Sequence, residues 1–207
     1  MLIKILICLV FGYCFGCFST GYVVGKVNNI DIRNYGSGNP GTTNALRTLG
    51  WKAGLITLLG DAFKAIIPLL LVRFLIYPNN AYDQLLPLYA GLGVVLGHNF
   101  PFWLNFKGGK GIAATGGVML AFDWRLALAA MCLFLLVTVV TRYVSLGSLM
   151  ISILFPSWIF ILFPGNVHMF LVGIAFTLSA FFKHRSNVQR LINGTENKIG
   201  HKVKIEK

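Results

Sequence analysis

Residues 143–182 contain no Asp, Glu, Lys or Arg, and "FPGN" at residues 163–166 is the one break in that apolar stretch. Proline followed by glycine and asparagine is turn chemistry, so the stretch divides into two helices of about bilayer length. A soluble core has no place for such a pair. The rest of the chain agrees: 56% of its residues are hydrophobic, 12% are charged, and its mean hydropathy is +0.73. These values describe a polytopic membrane protein.

Turn residues and charges cut the 207 residues into seven apolar segments, at about 4–25, 53–77, 84–104, 111–122, 126–141, 144–163 and 167–183. The first could pass for a signal peptide, but residues 5–25 form an uncharged run long enough to span a bilayer, so it is expected to stay as a helix. The fourth is too short to cross straight, and is expected to be a half-helix or one limb of a re-entrant turn. The predicted fold is therefore all-α, with seven transmembrane helices, the fourth short or re-entrant, in a single domain over residues 1–207.

Eighteen Lys and Arg stand against six Asp and Glu, a net charge of +12. The basic residues cluster at 26–52, 105–110, Arg142 and 183–207, whereas Lys4, Arg73, Asp83, Asp123 and Arg125 fall on the other side. The positive-inside rule then puts the N-terminus outside and the C-terminus in the cytoplasm. The basic residues are scattered among hydrophobic segments, which argues against nucleic acid as a partner. Cys8, Cys14, Cys17 and Cys132 lie in apolar runs without metal-ligand spacing, and read as small core residues.

Three polar stretches share the cytoplasmic side. In "GSGNPGTTNALR", at 36–47, glycines allow positive φ and close backbone approach. Ser37, Gly38, Asn39, Thr42, Thr43 and Asn44 offer hydrogen-bonding groups at a helix start, with Arg47 one turn inside. Alone, the stretch reads equally well as a loop with a helix cap. In "GHNFPFWLNFKGGKG", at 97–111, Lys107, Gly108, Gly109, Lys110 and Gly111 suggest an anion cradle or a positively charged interfacial turn. The phosphate-binding Walker pattern, with four residues between its first glycine and Gly-Lys and then Ser or Thr, is not met: Gly111 and then Ile112 follow Lys110. His98 reads as a polar group at the end of a helix. In "HRSNVQRLINGTE", at 184–196, a continuing helix would put His184, Asn187 and Arg190 on one face. Asp61 and Lys64, one turn apart in mid-span, are functional candidates by default, or a structural pair that neutralises itself.

Other chemistries are missing. No two carboxylates are close in sequence, so Mg²⁺-dependent phosphotransfer is not expected. The fifth position after His98 is Trp103 and after His184 is Gln189, so the His-x₄-Asp pattern of many soluble-type glycerolipid acyltransferases is lacking. A Gly-x-Ser-x-Gly nucleophile elbow is lacking too.

With all three stretches in order, the chain closely resembles the bacterial membrane acyl-phosphate:glycerol-3-phosphate acyltransferase family, PlsY. The matching residues cover about a quarter of the chain; Thr43 stands where the family often has Ala. The resemblance implies a seven-helix inner-membrane enzyme with its active site on the cytoplasmic face. It would transfer a fatty acyl group from acyl phosphate to the 1-hydroxyl of glycerol 3-phosphate, giving lysophosphatidic acid and phosphate, the first acylation of phospholipid synthesis. Acyl-CoA and acyl carrier protein would not be direct donors. The resemblance assigns catalytic or phosphate-binding roles to Ser37 and Arg47, glycerol 3-phosphate binding to residues 107–111, and activity to His184 and Asn187. It gives Glu196 a structural part. Arg185 is a further expected phosphate contact, Ser145 an expected neighbour of the site, and Asp61, Lys64 and His98 expected structural groups. Neither a metal nor an organic cofactor is expected; the partners are the two substrates and membrane lipid, with the oligomeric state left open. The competing expectation is a small transporter of an anionic metabolite, although no internal repeat supports it.

Overall fold

The computed structural model describes residues 1–78 and 84–200. Asp83 and the basic tail at 201–207, both used in the charge argument, lie outside the described residues. Among those described, ten α-helices follow one another with no strand between them: α1 (Leu2–Gly16), α2 (Thr20–Val27), α3 (Thr42–Leu49), α4 (Trp51–Leu71), α5 (Leu85–Asn99), α6 (Ile112–Phe122), α7 (Trp124–Thr141), α8 (Val144–Leu162), α9 (Val167–Lys183) and α10 (Arg185–Ile192).

The expected first span is α1 and α2 with a break between them, a single apolar stretch over Leu2–Val27. With Trp51–Ile76, Leu85–Leu104, Trp124–Thr141 and Val144–Leu162, it makes five stretches among the described residues that are long and apolar enough to cross a membrane. A sixth is reached if α9 and α10, bent by 65°, count together. Outward faces carry Ile3, Val10, Phe74, Leu136, Val139 and Phe160, all more than half exposed, a pattern that suits contact with lipid.

Helices α1 and α5 meet through glycine. A Cβ on Gly12 or Gly16 would lie 1.9 or 2.1 Å from the carbonyl oxygens of Ala90 and Val94, and one on Gly93 or Gly97 would lie 2.2 Å from those of Leu9 and Tyr13. Any side chain here would force the helices apart, so the small-xxx-small spacing on both partners sets their distance. The main core lies further along, where Met119 and Phe122 of α6 pack with Phe155 and Ile159 of α8 and Phe176 of α9.

Helix α6 has eleven residues, about 16 Å of rise. Its position beside α4 explains why that is enough. Gly117, five residues into α6, abuts the carbonyl oxygen of Ala62, eleven residues into α4. The two helices run the same way, since Arg73 just past α4 and Phe122 at the end of α6 line one concavity. The start of α6 is therefore inset by about six residues, ~9 Å, relative to the start of α4. The end of the loop leading into α6 is sunk with it: Gly109 and Gly111 are buried, whereas residues 105–107 before them are exposed.

Candidate active site

The first polar stretch is organised by one side chain. Buried Asn44, in the first turn of α3, donates through Nδ2 to the carbonyls of Ile32 (3.2 Å) and Tyr35 (3.0 Å), and its Oδ1 accepts the Ser37 amide at 2.9 Å. Gly36 has φ +60, and a Cβ there would stand 2.3 Å from Asn44 Oδ1, so glycine is required. Asn44 thus holds the loop in shape from inside. Ser37 and Gly38 are exposed on its rim; Asn39, Thr42, Thr43 and Arg47 are half-buried. The amides of Thr42 and Thr43, in the first turn of α3, have no intrahelical partner.

The glycines of the second stretch have a packing reason that spacing does not reveal. Gly108 donates its amide to the Asn99 carbonyl (3.2 Å) and Gly109 to the His98 carbonyl (3.0 Å), folding the loop back on the end of α5. A Cβ on Gly108 would meet the His98 carbonyl oxygen at 2.0 Å, and one on Gly109 would meet His98 Nε2 at the same distance. Both amides are engaged by α5, which narrows the expected anion cradle to Lys110 and the amides at the start of α6, capped by Gly111 at φ +80. The two lysines diverge: Lys107 is exposed, whereas Lys110 turns inward and donates to Asn187 Oδ1 at 2.5 Å.

In the third stretch the helix does not continue straight, as the one-face reading of His184, Asn187 and Arg190 assumed. The chain bends by 65° between α9 and α10, with His184 at the corner. Asn187 and Arg190 are nonetheless gathered by Glu196, which follows α10. Glu196 Oε1 accepts from Asn187 Nδ2 (2.8 Å) and Ser145 Oγ (3.1 Å), and Oε2 accepts from Arg190 Nε (2.8 Å). The Ile199 amide then donates to the Arg142 carbonyl at 2.8 Å, tying this segment to the turn between α7 and α8. Buried His184 donates from Nδ1 to the Ala180 carbonyl at 2.8 Å. In its neutral form this leaves Nε2 as an open acceptor. Arg185 is exposed, stacks on Phe182 at 4.9 Å and donates to the Phe182 carbonyl, so it lies at the periphery of the cluster.

Electrostatics joins the three stretches at Lys110. Burial pushes its ammonium down to about 8; Glu196 opposes that shift, and Arg190, Arg47 and Lys183 reinforce it. Arg47 from the first stretch and Arg190 from the third are thus felt at the lysine of the second. Four cations around one carboxylate leave a positive excess in a partly dehydrated setting, which suits phosphate rather than a neutral ligand.

Behind the loop lies a buried polar chain. Lys64 pairs with Asp61 at 2.8 Å, donates to His98 Nδ1 at 2.8 Å and donates to the Phe18 carbonyl in the break between α1 and α2. Asp61 Oδ1 is 3.6 Å from His98 Nδ1. Three residues here escaped the sequence reading. Asn99 is fully buried, donating to Ser179 and accepting Lys183 Nζ at 2.8 Å on its carbonyl; Trp103 donates to the Cys17 carbonyl. For Asn99 and Lys183 a signal existed: each directly adjoins a histidine already singled out.

Comparison with known proteins places this geometry in context. Residues 6–194 match the family model described as glycerol-3-phosphate acyltransferase. A protein of that name from Alkaliphilus metalliredigens (strain QYMF) is 42% identical over 201 residues, covering 97% of this chain and 98% of its own. One from Clostridioides difficile (strain 630) is 42% identical over 198 residues, covering 95% and 96%. Among solved structures, the glycerol 3-phosphate form of PlsY (YgiH), an integral membrane glycerol 3-phosphate acyltransferase, superposes with a TM-score of 0.85 at 34% identity, over 95% of this chain and 96% of that one. Its lysophosphatidic acid form matches with a TM-score of 0.83.

Proposed function

Because the chain belongs to the glycerol-3-phosphate acyltransferase family, we propose that it transfers a fatty acyl group from acyl phosphate to the 1-hydroxyl of glycerol 3-phosphate. The products are lysophosphatidic acid and inorganic phosphate. The relatives' names and the two bound forms of PlsY support the acceptor and the product. The chemistry of the site supports the donor. An acyl phosphate is a mixed anhydride with a good leaving group, so the reaction needs positioning and charge stabilisation but no covalent enzyme intermediate. It also makes both substrates phosphate anions.

The observation that carries this reading is the chain Lys110–Asn187–Glu196–Ser145, with Arg47 and His184 in electrostatic reach of Lys110. Arg47, Lys110 and the free amides at the starts of α3 and α6 hold the phosphates, while Ser37 and Asn187 position the reacting groups. The glycerol hydroxyl oxygen attacks the acyl carbonyl carbon. The new ester C–O bond forms, the bond from the acyl carbon to the phosphate oxygen breaks, and phosphate leaves with that electron pair. The hydroxyl proton passes to His184 Nε2 or to an oxygen of the donor phosphate.

In this reading the chain crosses the bacterial inner membrane seven times, with the inset α6 as the fourth crossing. The N-terminus is outside, the site faces the cytoplasm, and the acyl tail lies along the apolar helices. Transport is the weaker alternative: Asp61 is 1% and Lys64 6% exposed, and they pair with each other rather than lining a path. The test is purified protein incubated with palmitoyl phosphate and glycerol 3-phosphate, with palmitoyl-CoA as a parallel donor. Phosphate and lysophosphatidic acid should appear with the first donor alone; glycerol 3-phosphate uptake by liposomes without acyl transfer would reverse the assignment.

A further inference from the structure

The geometry points to Asp61, Lys64 and His98 as a positioning unit for Lys110, a role beyond neutralising charge inside the bundle. It deepens the functional reading above, in which Lys110 holds a substrate phosphate. Three contacts connect the unit to the loop. The His98 carbonyl accepts the Gly109 amide at 3.0 Å, and its ring lies against Gly109 so closely that a methyl there would stand 2.0 Å from Nε2. The neighbouring Asn99 carbonyl accepts Gly108 at 3.2 Å. His98 is therefore the floor under the two residues that precede Lys110.

The orientation of that floor is itself determined. An ammonium has only donors, so Lys64 makes His98 an acceptor at Nδ1 and fixes the ring plane. Lys64 is fixed in turn by Asp61, one turn earlier on α4, and by the Phe18 carbonyl at the α1–α2 break. Helix α4 and the α1–α2 break thus act through Lys64 on one imidazole, and the imidazole on one glycine. Displacing the ring lets the loop lift and water reach Lys110, whose surroundings are Arg47 from α3, Lys183 from α9, His184 at the bend, Asn187 and Arg190 from α10, and Glu196 beyond it.

The test reads Lys110 directly. In the purified protein, competitive labelling with acetic anhydride followed by peptide mass spectrometry gives the pH midpoint of the Lys110 amine. The midpoint should lie near about 8 in the parent. His98→Leu keeps bulk but offers Lys64 no acceptor, and Gly109→Ala pushes the loop off the ring from the other side. In each, the midpoint should rise by about one pH unit toward the ordinary lysine value, and KM for glycerol 3-phosphate should rise about tenfold, more than kcat falls. His98→Asn places an amide oxygen where Nδ1 stands and should restore both. An unchanged midpoint in His98→Leu and Gly109→Ala, or no difference between the Asn and Leu variants, overturns the proposal. If the Leu variant does not fold, Gly109→Ala against the parent decides it. A parent enzyme without acyl transfer counts against the functional reading, while the labelling still decides whether His98 positions Lys110.

Discussion

Replacing Lys110 by methionine should stabilise the empty protein while disabling it. The Lys110 ammonium titrates at about 8 in the folded chain against an ordinary lysine value of about 10.4. That gap corresponds to ~3 kcal/mol of penalty for keeping the charge in place at pH 7. The folded value is the lower one, so the unfolded chain binds more protons between these two pH values. Stability should therefore rise as pH increases from about 8 to about 10.4, with the full penalty present below that window. Lys110→Met removes the penalty but leaves Asn187 Oδ1 without its donor, worth about 1 kcal/mol, for a net gain of ~2 kcal/mol. Losing a charged phosphate contact should lower kcat/KM by a factor of about 30 to 1,000, equivalent to about 2–4 kcal/mol. The assay is thermal unfolding in detergent across pH 7–10, with and without glycerol 3-phosphate, beside steady-state kinetics. Glycerol 3-phosphate should raise Tm in the parent and not in the variant. A variant that keeps the parental kcat/KM would show that Lys110 is not a phosphate contact, and one whose stability rises through the window as steeply as the parent's would show that it is not a buried charge.

In the free enzyme, kcat/KM should fall as pH rises through about 8, where Lys110 loses its proton, and Lys110→Arg should flatten that alkaline limb whatever its absolute rate. Glu196→Ala releases Ser145, Asn187 and Arg190 together; it should lower stability by ~2–4 kcal/mol and depress activity, both measurable by melting curves and phosphate release. Gly97→Leu places a side chain 2.2 Å from the Tyr13 carbonyl oxygen, so it should separate α1 from α5 and abolish a cooperative melt. Arg47→Lys keeps the charge but loses the planar fork, and should cut kcat/KM about tenfold or more with little change in Tm.

The helical membrane fold was legible because lipid leaves few alternatives: uncharged stretches of bilayer length and "FPGN" fix helices and a turn. The inset of α6 was not, because it depends on the level at which Gly117 meets Ala62, a register between helices distant in sequence. Within the site, Ser37, Arg47, Lys110, His184 and Asn187 stood out as polar groups in an apolar chain, and the structure brings Lys110 and Asn187 into contact and places Arg47 and His184 in electrostatic reach of Lys110. The separate tasks of similar residues were hidden. Asn44 reads as a ligand group until its three bonds within the loop are seen. Gly108 and Gly109 read as an anion nest until His98 is found beneath them. Arg185 matches its neighbours in charge, yet the bend after α9 turns it outward onto Phe182. Each depends on a tertiary contact that local pattern does not encode.

The proposed reaction is direct acyl transfer between two phosphate-bearing substrates held by Arg47, Lys110 and the free amides at the starts of α3 and α6. It is tested most directly by a single-turnover experiment with excess enzyme and palmitoyl phosphate, mixed with or without glycerol 3-phosphate, following phosphate, lysophosphatidic acid and protein mass together. No phosphate should be released until glycerol 3-phosphate is added, then equimolar phosphate and lysophosphatidic acid, with no acylated protein at any time. A burst of phosphate without glycerol 3-phosphate, accompanied by a palmitoylated enzyme, would contradict it.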